Sequence, residues 1–165
     1  MAADLIPQGS RTVELGCGMN PAIKSGAVLD LSLPLLKEVP AQRGRPRICA
    51  SALSLPFRQR SLLHALSIFP PGISAEQGFF QEEEFWNELG RVLGPRGGYV
   101  ALVYVLYRNR VWRLLAQVID PFPSDFWKKT KAAAKGFEIS EEVEVDPWGN
   151  QLILVQAAKE RALII

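Results

Sequence analysis

Two glycines separated by one residue follow the first apolar run of the chain, in the segment T-V-E-L-G-C-G-M-N-P. The run over residues 11–15 predicts a strand, and Gly16 and Gly18 come directly after it. Because glycine has no Cβ, such a loop lets backbone approach a bound ligand closely. Glycine loops that follow a strand are typical of cofactor sites in α/β folds. We therefore expect a cofactor site at the end of this strand.

The spacing of the next residues separates two classes of cofactor. A dinucleotide site has a third glycine three residues after the second, where this chain has Pro21, whose ring fixes φ near about −65°. An S-adenosylmethionine site has that glycine two residues after the second, where this chain has Asn20, a residue that tolerates a left-handed backbone. Asp30 follows the loop sooner than the roughly 20 residues typical of dinucleotide enzymes. The pattern favours S-adenosylmethionine, with Asp30 on the ribose hydroxyls; the alternative is that Asp30 only caps the following turn.

Short apolar runs alternate with helix-like segments, which favours a mostly parallel sheet flanked by helices. After the first strand, we expect strands over residues 27–31, 47–50, 62–69 and 99–104. Helices are expected over residues 34–39, 79–93, 111–119 and 126–135. The C-terminal part predicts an antiparallel hairpin, because the turn at residues 147–150 between runs 137–145 and 151–157 is too short for a parallel crossover.

With these elements in place, the chain resembles the class I S-adenosylmethionine-dependent methyltransferases over nearly its whole length. V-E-L-G-C-G-M-N-P is similar to the first motif of that family, and A-V-L-D-L-S to its acidic second motif. C-A-S-A-L-S-L-P-F is similar to the segment after the third strand, and F-W-N-E-L-G-R-V-L-G-P-R-G-G-Y-V-A-L-V to the helix, turn and fifth strand. The tail resembles the last two strands. The resemblance implies one domain over residues 1–165 with an α/β fold, a doubly wound Rossmann-like sheet, mostly parallel, of seven strands with the last antiparallel.

The resemblance also assigns cofactor-binding roles by position. Glu14 and the glycine loop would hold the methionine end, Asp30 the ribose, and Leu31 the adenine. Residues 51 and 52 would lie at the adenine edge, and residues 67–69 would border the reacting methyl group. The full implied set is Glu14, Gly16, Cys17, Gly18, Asp30, Leu31, Ser51, Ala52, Ser67, Ile68 and Phe69.

Three departures from the family pattern bear on the site. Ser51 stands where the family usually has Asp, and Leu63-His64 stands in place of the usual Phe-Asp. The chain also begins almost at the first strand, without the N-terminal helices that commonly cover the substrate. We therefore expect an exposed substrate face that a second subunit closes, either a homodimer partner or a different protein.

No residue is predicted to act as a catalytic base. Methyl transfer from a sulfonium is a direct displacement, so an enzyme chiefly positions the two reactants. His64 is the only histidine, and its apolar neighbours favour a structural role in a buried strand. Phe69-Pro70-Pro71-Gly72 lacks the polar residue that amino-group methyltransferases place before the two prolines. No metal site is expected.

The composition excludes several classes of function. A net charge of +2, from 19 Lys and Arg against 17 Asp and Glu, argues against a nucleic-acid ligand. The two cysteines indicate reduced thiols, and the chain has neither a signal peptide nor an apolar run of about eighteen residues, so we expect a cytoplasmic protein with no membrane contact. The expected function is methyl transfer to a small-molecule or lipid-like acceptor. The alternative is a non-catalytic adenosyl-binding or regulatory subunit that pairs with another protein.

Overall fold

The computed structural model describes residue 9 and residues 11–40, 45–68, 79–105, 126–145 and 151–159. Their strands form one seven-stranded sheet in the order β3-β2-β1-β4-β5-β7-β6. The strands are β1 (Thr12–Leu15), β2 (Ala27–Asp30), β3 (Arg47–Cys49), β4 (Leu62–Ile68), β5 (Leu93–Val105), β6 (Phe137–Val145) and β7 (Gln151–Lys159). The helices are α1 (Leu33–Glu38), α2 (Glu83–Val92) and α3 (Phe126–Ala133), with a 3₁₀ turn at Phe79–Gln81.

The strand directions agree with the expected fold. β1 to β5 pair in parallel, whereas β7 is antiparallel to both β5 and β6. Apolar side chains are buried on both faces of the sheet: Leu36 of α1 belongs to one cluster, and Phe85 and Leu89 of α2 belong to the other. The prediction of a doubly wound, mostly parallel sheet of seven strands with the last antiparallel is therefore confirmed.

The main difference from the expected elements is the start of β5. The strand was expected to begin at residue 99, but β5 already begins at Leu93, which pairs with Leu62. The next partners along the two strands are His64 and Gly98, so the extra residues of β5 form an irregularity in the sheet. A Cβ at Gly97 would lie 2.9 Å from the Leu93 Cβ, which explains why glycine fits there.

Other boundaries shift by a few residues. The first part of the helix expected over residues 79–93 is the 3₁₀ turn, and β7 continues to Lys159. The expected helix over residues 111–119 and the turn over residues 147–150 lie outside the described residues. Among the described residues, no helix is long and apolar enough to cross a membrane.

The helix α2 anchors the larger core cluster. Its buried face carries Phe85, Trp86, Leu89 and Val92, at the helical spacing that the sequence shows. The Trp86 indole N–H donates to the backbone carbonyl of Phe80 at 2.7 Å, so this buried polar atom is satisfied. The sheet and this helix together fix the carboxyl ends of β1, β2 and β3 at one edge, which is where open α/β sheets bind ligands.

Candidate functional site

The glycine loop folds over the end of β2. The N–H groups of Gly16 and Cys17 both donate to the carbonyl of Leu29, at 2.8 Å and 3.2 Å. Gly16 and Gly18 have φ values of 68° and 55°, in the left-handed region that favours glycine. A Cβ at Gly18 would meet no heavy atom within 4 Å, so the outer side of the loop is open.

Asn20 does not adopt the left-handed backbone that a glycine at this position would allow. Arg60 is the one non-glycine residue with a positive φ in the part of the chain that the structure describes. The turn is therefore made by the two glycines alone, because Gly16 and Gly18 already supply the left-handed conformations that reverse the chain.

Asp30 connects the glycine loop to the loop after β2. Its Oδ2 accepts the N–H of Gly18 at 2.8 Å, and its Oδ1 accepts the N–H of Ser32 at 2.8 Å. The carboxylate therefore does cap the turn that follows it, as the alternative interpretation held. Each oxygen of an ionised carboxylate has a second lone pair, so the side chain keeps acceptor capacity for a ligand. The assignment of Asp30 to the ribose hydroxyls stays a prediction.

A pocket of about 180 Å³ lies where the ends of β1, β2 and β3 meet. It is lined by Leu15, Gly16, Leu29, Asp30, Leu31, Ala50, Ser51, Ala52 and Leu53. Two large apolar side chains at the pocket are exposed: Leu31 is 74% exposed and Leu53 is 42% exposed. Exposed apolar side chains that flank one pocket are typical of a ligand site, because a bound apolar surface would cover them.

Five of the predicted cofactor residues line this one pocket. They are Gly16, Asp30, Leu31, Ser51 and Ala52. The sequence reasoning missed the other four lining residues, which are Leu15, Leu29, Ala50 and Leu53. These four residues could be predicted in part from the sequence, because each lies near the end of a predicted strand or in the loop that follows one.

The loop after β3 forms one wall of the pocket. The Ser51 Oγ accepts the N–H of Leu53 at 3.1 Å, and the Ser51 carbonyl accepts the N–H of Ser54 at 3.2 Å. A hydroxyl that accepts one hydrogen bond still has its own proton to donate. Ser51 therefore both shapes this turn and offers a donor where the family usually has a carboxylate acceptor.

Glu14 lies beside the loop but does not line the pocket. Its carboxylate accepts the N–H of Ala22 at 2.8 Å and the N–H of Ile23 at 3.0 Å, which fixes the segment after the glycine loop. Burial raises the pKa of the Glu14 carboxyl, whereas these two bonds and the nearby Arg45 oppose the rise. Arg45 itself donates to the carbonyl of Ile23. The predicted contact between Glu14 and the methionine end of a cofactor is untested.

Cys17 is buried under the loop and does not line the pocket. Burial raises the pKa of its thiol to about 12, and the carboxylates of Glu14 and Asp30 add to the rise. The thiol is therefore protonated at neutral pH and is not a nucleophile there. A protonated thiol can lie near an alkylating cofactor without reacting.

Ser67 and Ile68, two of the residues predicted to border the methyl group, are not among the residues that line the pocket. Their predicted role stays a prediction. Ser67 is fully buried and Ile68 is half-buried at the end of β4. Phe69 lies outside the described residues. His64 is half-buried and pairs with Thr12 and Gly98, towards the start of β4 and away from the ligand edge.

The fold has many counterparts among solved structures. A methyltransferase of Thermotoga maritima that depends on S-adenosylmethionine has a TM-score of 0.64 at 16% identity, over 96% of this chain and 86% of that chain. Geranyl diphosphate C-methyltransferase of Streptomyces coelicolor, solved with S-adenosylhomocysteine, has a TM-score of 0.64 at 12% identity, over 96% and 75% of the two chains. A Haloferax volcanii structure in which a methyltransferase activator is bound has a TM-score of 0.62 at 15% identity, over 96% and 87%.

These similarities concern the fold. No protein-family model and no curated protein sequence matches the chain. The alignments with these solved structures cover 96% of this chain, but only 12% to 16% of the residues are identical. The chain therefore has the fold of the class I S-adenosylmethionine-dependent methyltransferases, which confirms the resemblance at the level of the fold.

Proposed function

We propose that the chain binds S-adenosylmethionine in the pocket at the ends of β1, β2 and β3, and that it transfers the methyl group to a small-molecule or lipid-like acceptor. The observation that carries the proposal is the convergence of three separate segments on one pocket: the glycine loop, Asp30 with Leu31, and the wall at residues 50–53. Each segment has the chemistry that one part of an adenosyl ligand needs.

The residues present fit such a ligand. Leu31 and Leu53 offer exposed apolar surface to a flat base, and Asp30 offers carboxylate oxygens to ribose hydroxyls. The open side of Gly18 leaves room for the methionine end beside the backbone amides of the loop. Among the described residues that line the pocket, Asp30 is the single ionisable side chain, and its negative charge suits a cationic ligand.

When bound, S-adenosylmethionine supplies an electrophilic methyl group on a positively charged sulfur. The residues of this chain then bind and orient: the carboxylate of Asp30 fixes the glycine loop and the loop after β2 in one arrangement. The buried thiol of Cys17 stays protonated, so it does not compete with the acceptor for the methyl group. Positioning of this kind supplies much of the catalysis in a direct displacement.

The nature of the acceptor is part of the proposal. Geranyl diphosphate is the acceptor of one structural neighbour, and phosphomonomethylethanolamine is bound to another. Both are small molecules with an anionic headgroup, which supports a small or lipid-like acceptor for this fold. The described pocket residues include no histidine or lysine that could act as a base, so we propose an acceptor atom that attacks through a lone pair it already carries, with S-adenosylhomocysteine as the leaving group.

Turnover tests this proposal. The purified protein is incubated with methyl-labelled S-adenosylmethionine and a panel of isoprenyl diphosphates, phosphorylated amines and amphiphilic alcohols, and labelled product is measured by mass spectrometry. The proposal expects label in at least one acceptor, with release of S-adenosylhomocysteine. Binding of the cofactor without transfer to any acceptor would contradict the enzymatic part of the proposal.

A second candidate is an adenosyl-binding or regulatory subunit that works with another protein. Of the seven large apolar side chains that are exposed in the described part of the chain, five follow the carboxyl ends of β1, β2 and β3: Met19, Leu31, Leu33, Leu35 and Leu53. Clustered exposed apolar residues favour a partner surface, and one structural neighbour is bound to an activator. Sedimentation of the protein at micromolar concentration tests the homodimer form of this candidate, because a monomer would contradict it.

Our proposal for the chain also includes one domain over residues 1–165 and a cytoplasmic location.

A further inference from the structure

The helix α2 holds the loop that follows β3 through one ion pair. The Arg91 guanidinium donates two hydrogen bonds to the Glu88 carboxylate, from Nε to Oε1 and from Nη2 to Oε2, each at 2.7 Å. Oε2 of Glu88 also accepts the N–H of Leu55 at 2.7 Å. Arg91 donates to the carbonyls of Leu55 and Phe57, each at 2.7 Å. Both polar atoms of the Leu55 backbone are therefore bound by this pair.

This loop is the one that supplies the wall of the pocket. The wall comprises residues 50–53, and Leu55 comes two residues later. At its start, the wall is fixed by the Ala50 N–H, which donates to the Asp30 carbonyl at 3.1 Å. At its end, it is fixed by the Glu88–Arg91 pair and by the buried side chain of Leu55. Neither residue of the pair lines the pocket, so any influence on a ligand acts through the loop.

The chemistry of the pair suits a rigid connection. A guanidinium presents its donors in a planar fork, which can bind a carboxylate at two points and still reach two carbonyls. The hydrogen bond from Arg91 lowers the pKa of the Glu88 carboxyl, so the pair is ionised at neutral pH. Lysine at position 91 would keep the charge but could not make the same four contacts.

We propose that Glu88 and Arg91 are positioning residues for the base-binding wall, and that they set the preference of the pocket for adenine over other purines. This inference rests on the proposed function. By holding Leu55, the pair fixes where Ser51 and Ala52 meet the edge of the base. If the loop is loosened, the wall still offers apolar surface, but its polar groups no longer meet the base edge in register.

A second ion pair on the same helix provides a matched control. Glu83 of α2 binds Lys135 at 3.0 Å, and the two side chains are 52% and 71% exposed. No hydrogen bond links this pair to residues 50–57 among the contacts of the described residues. Glu83→Gln therefore removes one charge of an ion pair from the same helix without touching the wall.

The experiment compares Arg91→Lys, Glu88→Gln and Glu83→Gln with the wild type by calorimetric titration. The ligands are S-adenosylhomocysteine and S-inosylhomocysteine, which differ in the edge of the purine. For Arg91→Lys and Glu88→Gln we expect the dissociation constant for S-adenosylhomocysteine to rise by about tenfold, because the wall no longer holds its position. The ratio of the two dissociation constants should move towards one. Glu83→Gln should leave both the affinity and the ratio within about twofold of the wild type.

The ratio separates positioning from a merely structural role. A variant that only lowers the melting temperature would keep the wild-type ratio, and that result for the folded Arg91→Lys protein would overturn the inference. Hydrogen exchange of the ligand-free proteins adds a second readout, because the Leu55 amide should exchange faster in Arg91→Lys but not in Glu83→Gln. If the wild type binds neither ligand, the proposed function fails and the inference fails with it. If the wild type binds and the ratio is unchanged in Arg91→Lys, the inference alone fails.

Discussion

Replacement of Asp30 should affect both the stability of the chain and its affinity for an adenosyl ligand, by separable amounts. In the structure its carboxylate accepts the N–H groups of Gly18 and Ser32, both at 2.8 Å. Asp30→Ala removes both bonds and the acceptors proposed for the ribose. Asp30→Asn keeps the shape and one acceptor oxygen, but it turns an amide N–H₂ group towards the second donor. The two variants therefore differ in how many of these bonds they lose.

The expected magnitudes follow from the number of bonds lost. A hydrogen bond to a charged group contributes about 1.5–3 kcal/mol, and at this half-buried position we expect values near the lower end. Asp30→Ala should lower the free energy of unfolding by about 2–4 kcal/mol, and Asp30→Asn by about 1–2 kcal/mol. Loss of the ribose contacts should weaken the binding of S-adenosylhomocysteine by about 1–3 kcal/mol, which is roughly 5- to 150-fold.

The assay combines urea unfolding of the ligand-free proteins with calorimetric titration of the folded ones. An analogue of S-adenosylhomocysteine that lacks the ribose 2′-hydroxyl completes a thermodynamic cycle of two proteins and two ligands. It should bind the wild type less well than the parent ligand does, but the difference should shrink in Asp30→Asn. A folded Asp30→Asn protein that binds the parent ligand within about twofold of the wild type would refute the ribose assignment. That result would not affect the predicted loss of stability, which depends only on the bonds from Asp30 to Gly18 and Ser32.

Three further predictions concern the folded chain. A Cβ at Gly26, where φ is 103°, would overlap the Thr12 carbonyl oxygen, so Gly26→Ala should lower the free energy of unfolding in urea by about 3 kcal/mol or more. Gly136→Ala, with a φ of 80° but no heavy atom within 4 Å of the added Cβ, should cost only about 1 kcal/mol, and equal losses would contradict the steric argument. Cys17 is buried and its thiol pKa is raised to about 12, so it should react with iodoacetamide much more slowly at pH 7.5 than the exposed Cys49. Peptide mapping by mass spectrometry measures the two rates. Because burial raises the pKa of Glu14, the folded state binds more protons than the unfolded state between the ordinary and the raised pKa, so this group makes stability fall as pH rises through that window. Glu14→Gln should remove this pH dependence of the free energy of unfolding, measured with urea from pH 4 to pH 8. An unchanged pH dependence would show that Glu14 is not its source.

The parts of the fold that the sequence predicts are those with local signals. The segments of β1, β2 and β4 are short and mostly buried, as expected for the inner strands of a parallel sheet. The hairpin of β6 and β7 follows from a turn too short for a crossover. The buried face of α2 follows from apolar residues at helical spacing. These elements need no information about distant parts of the chain.

The start of β5 depends on a contact that the sequence does not show. Leu93 follows α2 directly, and a glycine-proline pair after it is a normal signal for a turn. In the structure Leu93 pairs with Leu62 on the neighbouring strand, and this pairing continues the strand through the turn signal. Tertiary pairing therefore overrides the local preference.

The sequence predicts residues that line one pocket, but it does not predict the contacts that hold them in place. Gly16, Asp30, Leu31, Ser51 and Ala52 were predicted from motifs, and they do line one pocket. The motifs did not reveal what holds these residues in place. The contact of Asp30 with Gly18 and the contact of Glu88 with Leu55 join residues that are 12 and 33 positions apart, so they form only when the sheet is assembled.

Calorimetric titration of the purified wild-type chain with S-adenosylmethionine, S-adenosylhomocysteine and NAD tests the central claim most directly. The pocket between the glycine loop, Asp30 and residues 50–53 predicts micromolar binding of both adenosyl ligands, with one site per chain, and no binding of NAD in the same range. Binding of NAD alone, or of none of the three ligands, would contradict the claim that this pocket is an S-adenosylmethionine site.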